Sequence, residues 1–102
     1  MSGTGDYSIE LSEDVGRHLS TLTARQRRMV VEAMEQQLRR QPTVPTRHRK
    51  PLRENPLASW QLRVGDLRVL YNVDKEQGVV LVVAVGVKVH NALFIDGKAY
   101  PL

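Results

Sequence analysis

The residues with the clearest chemical potential in this 102-residue chain are cations near its middle. Arg63 and Arg68 flank Gly65 and Asp66 within the alternating stretch 58–73, ASWQLRVGDLRVLYNV. Alternation on both sides of a Gly-X pair predicts a β-hairpin with a two-residue type II′ turn. In the register that closes this turn, the two guanidinium groups lie opposite each other and repel. A chain that keeps two cations there is predicted to bind an anion such as phosphate.

A basic segment, Gln41 to Pro56, precedes the hairpin. Pro42, Pro45 and Pro51 are expected to exclude helix and sheet ladder from it. Composition alone fits a solvated loop equally well, but the position next to the arginine pair favours binding. The residues predicted to bind the anion are Lys50, Arg53, Arg63 and Arg49.

More titratable groups follow the most apolar run, Val79–Val87. A strand that is apolar on both faces is predicted to be central and covered on both sides. Gly86 allows a bulge or a close backbone approach within it. Lys88 and His90 come directly after the run.

The chain lacks the motifs of several enzyme classes. Neither a P-loop, a dinucleotide fingerprint, a zincin motif nor a hydrolase elbow is present. There is no cysteine, and His18, His48 and His90 have no metal-ligand spacing. His18 is expected on the polar side of a helix, in solvent. We therefore predict no metal and no cofactor.

The helices and strands that position these residues are expected to form one α+β domain over residues 1–102. A short strand is expected at 6–11, then a helix from the N-cap Ser12 to about Leu22. Thr23 and Gln26 form a capping box that begins a second helix, ending near Arg40. This helical hairpin is expected to pack on one face of a mostly antiparallel sheet.

The chain is predicted to end in a second β-hairpin. Asp96 and Gly97 lie between Ala92–Ile95 and Lys98–Tyr100, and Asp-Gly favours a type I′ turn. In the central hairpin, Trp60 and Tyr71 fall on the face expected to be buried.

Net charge and hydropathy limit which partners and which cellular compartment we expect. The net charge of +4 and the isoelectric point near 9.9 favour a polyanionic partner, either nucleic acid or an acidic protein. No apolar run is long enough to span a bilayer, and the first residues, MSGTGDYS, lack a signal pattern. We expect a cytoplasmic protein with no membrane partner.

The run 62–90, LRVGDLRVLYNVDKEQGVVLVVAVGVKVH, resembles the RelE/ParE superfamily of bacterial toxins from type II toxin–antitoxin systems. Members carry a hairpin of the form LRVGxxRVxYxV, a valine-rich strand, and a glycine followed by basic residues. The segment from Lys50 to Arg53 resembles the basic-Leu-Arg segment that often precedes the hairpin. With the first strand and the helical hairpin, the resemblance covers nearly the whole chain.

The resemblance implies two different activities. RelE-like members are ribosome-dependent endoribonucleases that cut mRNA with basic side chains rather than a metal. ParE-like members share the fold but poison DNA gyrase. In both groups an antitoxin segment wraps the toxin, so a cognate antitoxin is an expected partner, together with ribosome and mRNA or with gyrase.

Carried over residue by residue, the resemblance predicts a partial catalytic set. Arg68 matches the arginine that contacts the scissile phosphate, and Lys88 matches a basic residue after the strand glycine. Ser59 and Gln61 fall where RelE has lysines, and Phe94 falls near its C-terminal tyrosine. His90 or His48 can replace the missing acid and base.

The predicted catalytic residues are therefore Arg68, Lys88 and His90. The predicted activity is ribosome-dependent mRNA cleavage that inhibits translation. The alternatives are gyrase inhibition and a catalytically silent relative that binds only its antitoxin or nucleic acid.

Overall fold

The computed structural model of the chain describes residues 6–100, and it confirms an α+β fold. In chain order the elements are β1 (Ser8–Leu11), α1 (Glu13–Ser20), α2 (Ala24–Leu38), β2 (Arg49–Pro51), β3 (Trp60–Val64), β4 (Leu67–Asp74), β5 (Val79–Val89), β6 (Ala92–Ile95) and β7 (Lys98–Tyr100). Each helix ends about two residues earlier than its apolar periodicity predicts. No helix within residues 6–100 is long and apolar enough to cross a bilayer.

The strands form one mixed sheet in the order β2-β3-β4-β5-β6-β7, with antiparallel neighbours throughout. β1 pairs in parallel with the first half of β5. It lies on the same edge of β5 as β6, which pairs with the C-terminal end of β5. Between β1 and β6, α1 covers the edge of β5, where the Ser12 amide donates to the Val82 carbonyl over 2.9 Å. The long β5 is therefore the centre of the fold, as the apolar run predicts, but it is not covered on both faces along its whole length, because Leu81 is 38% exposed.

The central hairpin has the predicted register. Trp60 pairs with Tyr71, and Arg63 pairs with Arg68. Gly65 has a φ of 59° whereas Asp66 is not in the left-handed region, as a type II′ turn requires.

The sheet face covered by both helices, hereafter the helix face, carries the larger core. α1 packs on β5, and α2 packs on β3 and β4. Thr23 and Gln26 form the predicted capping box, with both reciprocal hydrogen bonds present. Ser12 has the backbone geometry of an N-cap, but its hydroxyl lies 3.3 Å from the Val83 carbonyl oxygen and does not cap the helix. Fully buried members of this core include Val15, Val30, Leu38, Leu62, Val69, Tyr71, Val80 and Val82.

A smaller core lies on the opposite face of the sheet. Leu70 is fully buried there beneath β6 and the loop at residues 52–59. β6 passes so close that a Cβ atom on Gly86 would overlap the Phe94 carbonyl oxygen. The close approach predicted at Gly86 is confirmed. The bulge lies instead at Val83, which the pairing of β5 with β4 skips.

The basic segment differs from its prediction because it contains a strand. Arg49–Pro51 pairs with β3, although three prolines were expected to exclude a ladder. β2 is an edge strand, so the missing amide of Pro51 can face away from the sheet at no cost. The C-terminal hairpin is confirmed, since Asp96 and Gly97 have φ of 53° and 82°, the signature of a type I′ turn.

Candidate functional site

Four predicted site residues lie in one row across the opposite face. Lys50 on β2 is opposite Gln61, which shares a side of β3 with Arg63. Arg63 pairs with Arg68 on β4, and Arg68 pairs with Gly86 on β5. Lys88 lies two residues beyond Gly86, on the same side of β5. The structure therefore brings together Lys50, Arg63, Arg68 and Lys88, hereafter the basic row.

Arg68 is half-buried at the centre of the row. Its Nη1 donates to the carbonyl oxygens of Gly65 and Leu67 over 2.7 and 2.8 Å, which holds the guanidinium beside the hairpin turn. Burial lowers the pKa of Arg68, and the charge of Arg63 lowers it further, while the Asp66 carboxylate acts in the opposite direction. The site therefore favours an anion that would relieve both effects.

Arg63 has an incompletely satisfied side chain. Its Nε is buried without a hydrogen-bond partner. The ion pairs found within residues 6–100 engage Arg17, Arg39 and Arg40, and none of them engages the basic row. An unpartnered buried donor costs roughly 1–3 kcal/mol, so the Arg63 side chain is held in this position at a cost to the fold.

The two ends of the row differ in exposure. Lys50 is exposed on the edge strand. Lys88 is half-buried, and its amide donates to the Asp66 carbonyl over 2.7 Å, which ties β5 to the hairpin turn. The row thus runs from an open edge to a position fixed against the turn.

His48 adjoins the row, although it was only an alternative among the predicted catalysts. Its carbonyl oxygen accepts from the Arg63 amide over 2.7 Å, which extends the register of β2 by one residue. This register places His48 opposite Arg63, in an exposed position. An imidazole therefore lies beside the arginine pair.

Arg53 and His90 lie farther away. Arg53 is exposed in the loop at 52–59, whose base is closed by the hydrogen bond from the Leu52 amide to the Ser59 carbonyl. His90 is exposed in the turn between β5 and β6 and has a φ of 56°. The loop that holds Arg53 ends at Ser59, which is four residues, about 13 Å of extended chain, from Arg63. His90 is separated by the same distance along the chain from Gly86, the register partner of Arg68.

Arg49 is corrected from a phosphate ligand to a structural residue. It is only 7% exposed, because its register partner Leu62 faces the helix-face core. Its Nε donates to the Val44 carbonyl over 3.0 Å. Its Nη1 donates to the backbone and side-chain oxygens of Gln37 over 2.9 and 2.8 Å. The cation fastens the basic segment to the end of α2.

Ser59, Gln61 and Phe94, which fall where RelE has its lysines and its C-terminal tyrosine, make contacts within the fold. The Ser59 amide donates to the Asn72 side chain over 2.8 Å, and Gln61 is half-buried between Lys50 and the neighbouring strand. Phe94 pairs with Val87, whose side chain packs on the helix-face core, so its ring lies off the basic row. None of the three supplies a titrating group.

The prediction that His18 is solvated is wrong. His18 is 6% exposed, and its Nδ1 accepts from the Val85 amide over 3.3 Å. Burial lowers the pKa of His18, and the Arg17 charge acts in the same direction. The signal was present in the sequence, because Val15, His18 and Leu22 recur at the spacing of a buried helix stripe.

His18 also lines a cleft of about 390 Å³ between α1 and the β6–β7 hairpin, hereafter the hairpin cleft. Arg17 crosses the rim and donates to Asp96 over 2.8 Å. Sequence reasoning missed this cleft because its walls come from opposite ends of the chain. Among residues 6–100, no group of three or more metal-binding side chains is present.

Comparison with known proteins gives a consistent result. The family profile described as the ParE toxin of type II toxin–antitoxin system, parDE, matches residues 9–88. A chain from the crystal structure of the RelBE2 toxin–antitoxin complex of Mycobacterium tuberculosis is 30% identical, with a TM-score of 0.71, over 81% of this chain and 92% of that chain. A chain from the archaeal RelE–RelB complex of Pyrococcus horikoshii OT3 is 20% identical, with a TM-score of 0.68, over 83% and 98%. No curated protein matches the chain significantly.

Proposed function

The chain belongs to the ParE toxin family of type II toxin–antitoxin systems, and we propose that this toxin inhibits translation by cutting mRNA on the ribosome. The observation that supports cleavage is the basic row, a line of cations across four strands that none of the ion pairs found within residues 6–100 engages. A scissile phosphate is a dianion in the transition state, and fixed cations stabilise that charge more than they stabilise the ground state.

The proposed reaction uses the RNA itself as nucleophile. The ribose 2′-oxygen loses its proton to a base and forms a bond to the adjacent phosphorus. The bond from phosphorus to the 5′-oxygen then breaks, and an acid protonates the leaving oxygen. The products are a 2′,3′-cyclic phosphate and a 5′-hydroxyl, and no redox step or cofactor is needed.

The residues divide these roles by position. Arg68 and Arg63 contact the non-bridging oxygens, because they pair at the centre of the row. Lys88 and Lys50 neutralise charge at either end, and Arg53 contacts a flanking phosphate. His48 is the proposed base, since it lies opposite Arg63 and a neutral imidazole nitrogen can accept a proton. His90 lies about 13 Å of extended chain from Gly86, so it contacts RNA beyond the scissile phosphate, and Lys88, which is nearer to Arg68, is the proposed acid for the leaving 5′-oxygen.

The proposed inhibitor of this site is a cognate antitoxin segment that covers the basic row. Both similar solved structures are toxin–antitoxin complexes, which supports such a partner. Because none of the ion pairs found within residues 6–100 engages the row, we expect acidic side chains on the covering segment. The proposed site of action, the translating ribosome, lies in the cytoplasm.

The test adds purified toxin to a reconstituted translation reaction and maps mRNA ends by primer extension. The proposal expects new ends that appear only on mRNA engaged by ribosomes. A variant with His48→Gln keeps the fold, because His48 is exposed, and should cut at least 100-fold more slowly. Intact mRNA at toxin concentrations that stop protein synthesis would contradict cleavage.

DNA gyrase inhibition is the second candidate. It is favoured by the match to the ParE family profile and by Ser59 and Gln61, which replace the lysines of RelE-like enzymes. A gyrase supercoiling assay run beside the translation assay separates the two activities. Lost supercoiling with intact mRNA would select gyrase, whereas inactivity in both assays would select the silent, antitoxin-binding alternative.

A further inference from the structure

The hairpin cleft has the size and the lining of a site for a small planar ligand. Its volume of about 390 Å³ falls within the range of small-molecule pockets. The floor is apolar, formed by Ala84 and Ile95 of the smaller core. The rim carries Arg17, Lys98 and Tyr100.

His18 supplies a fixed hydrogen-bond donor in this cleft. Its Nδ1 accepts from the Val85 amide, so the proton of the neutral ring lies on Nε2, at the opposite edge. No described residue accepts from Nε2, and Nε2 is not one of the buried side-chain atoms left without a partner within residues 6–100, so it is open to the cleft. A ligand acceptor in the cleft can therefore take a hydrogen bond from this donor in place of water.

Arg17 supplies a fixed planar surface. Its Nε donates to Asp96 over 2.8 Å, and its Nη2 lies 3.3 Å from the Asp14 carboxylate. Two carboxylates therefore hold the guanidinium plane across the rim. Guanidinium planes and tyrosine rings are the surfaces on which unstacked RNA bases stack, and Tyr100 borders the same cleft.

The remaining polar groups match a nucleotide. Carboxylate oxygens such as those of Asp96 accept hydrogen bonds from base amino groups. Lys98 lies at the rim and can meet a phosphate. Ala84 in the floor is two residues, about 7 Å of strand, from Gly86, the register partner of Arg68.

We propose that the hairpin cleft binds one unstacked base of the RNA whose backbone lies on the basic row. The base stacks between Arg17 and Tyr100 and accepts a hydrogen bond from His18 Nε2–H. This inference rests on the proposed function for the identity of its ligand, an RNA strand. It assigns a base-reading role to three side chains outside the basic row.

The experiment titrates the purified toxin with each of the four nucleoside 5′-monophosphates and follows the His18 ring nitrogens by NMR. We expect at least one mononucleotide to shift the Nε2 signal in a saturable way, and ribose 5-phosphate to leave it unchanged. Tyr100→Leu should weaken binding about tenfold or more, the measured range for a lost base–aromatic stack. Phe94→Leu, which removes an exposed ring outside the cleft, is the matched control.

A second pair of variants does not disturb the smaller core. Lys98→Ala should weaken mononucleotide binding severalfold, whereas Lys75→Ala, an exposed lysine outside the cleft, should not. Equal shifts with ribose 5-phosphate, no saturable shift, or unchanged affinity in both Tyr100→Leu and Lys98→Ala would overturn the inference.

The same titration with Arg68→Ala separates this inference from the proposed function. Mononucleotide binding should persist in that variant, since the cleft does not contain Arg68. Binding at the cleft without mRNA cleavage by the wild type would refute the proposed function alone. Cleavage without binding would refute the cleft alone.

Discussion

The two faces of the sheet hold arginines in opposite states. On the helix face, Arg49 is 7% exposed and donates three hydrogen bonds to α2 and the basic segment. On the opposite face, Arg63 has a buried Nε without a partner, and Arg68 reaches only carbonyls of its own turn. A hydrogen-bonded cation holds the fold together, whereas a pair of like charges that none of the ion pairs within residues 6–100 engages can bind an anion from outside.

This contrast explains why adjacent residues in the chain have different roles. Arg49 and Lys50 follow one another on β2, so their side chains point to opposite faces. Arg49 fastens the basic segment to α2, and Lys50 belongs to the basic row. Variants on the two faces should therefore separate stability from activity.

The largest effect is expected from Arg68→Ala on the rate of mRNA cleavage. Loss of a fixed charge at the transition state should slow cleavage about 100- to 1,000-fold, or roughly 3–4 kcal/mol. The free energy of unfolding should stay equal or rise slightly, because the repulsion from Arg63 disappears. Cleavage kinetics and urea denaturation measure the two quantities, and a large loss of stability would place Arg68 with Arg49 instead.

Arg49→Ala should show the reverse pattern. It leaves the carbonyls of Gln37 and Val44 without their donor and should cost about 2–3 kcal/mol of unfolding free energy. Cleavage per folded molecule should change less than threefold. Lys50→Ala is the control on the same strand, with a stability change within about 0.5 kcal/mol. Equal destabilisation by both variants would remove the distinction between the faces.

The smaller core is tested by Gly86→Ala. The new methyl group would overlap the Phe94 carbonyl and press on Ile95, so overpacking should cost about 1–3 kcal/mol. Gly16→Ala in α1 is the control, because no atom lies near its Cβ position and alanine favours helix. Thermal or urea unfolding should show the two variants moving in opposite directions. A neutral Gly86→Ala would show that β6 does not clamp the opposite face.

The smallest effect concerns pH and His18. Its pKa is lowered in the fold by burial, despite the carboxylates of Asp14 and Asp96. The unfolded chain therefore takes up a proton as the pH falls below about 6.5, while the folded chain resists it. Stability is complete above that pH and declines below it, by at most about 1.4 kcal/mol per pH unit.

Urea denaturation between pH 7.5 and 5.5 measures this slope. His18→Gln keeps an acceptor for the Val85 amide and should flatten the part of the slope that His18 contributes. An unchanged slope in that variant would mean that the protonation of His18 is not coupled to folding.

Local patterns predicted the elements well, and the assembled surfaces less well. Gly65 and Gly97 mark their turns because positive φ is a local requirement, and Gln26 completes its cap within one turn. The burial of Arg49 depends on which face of β2 packs against α2. This tertiary contact cannot be predicted from the composition of the segment. The burial of His18 was readable from its spacing, but the hairpin cleft joins α1 to β7 and has no local signature.

The most direct test of the central claim is the chemistry of the mRNA ends. If cations of the basic row assist attack by the 2′-oxygen, fragments cut by the wild type must carry 2′,3′-cyclic phosphate and 5′-hydroxyl ends. Mass spectrometry of the fragments should show both, and the same reaction with Arg68→Ala should yield almost no fragments. Ends with 5′-phosphate, or equal cutting by Arg68→Ala, would contradict the account.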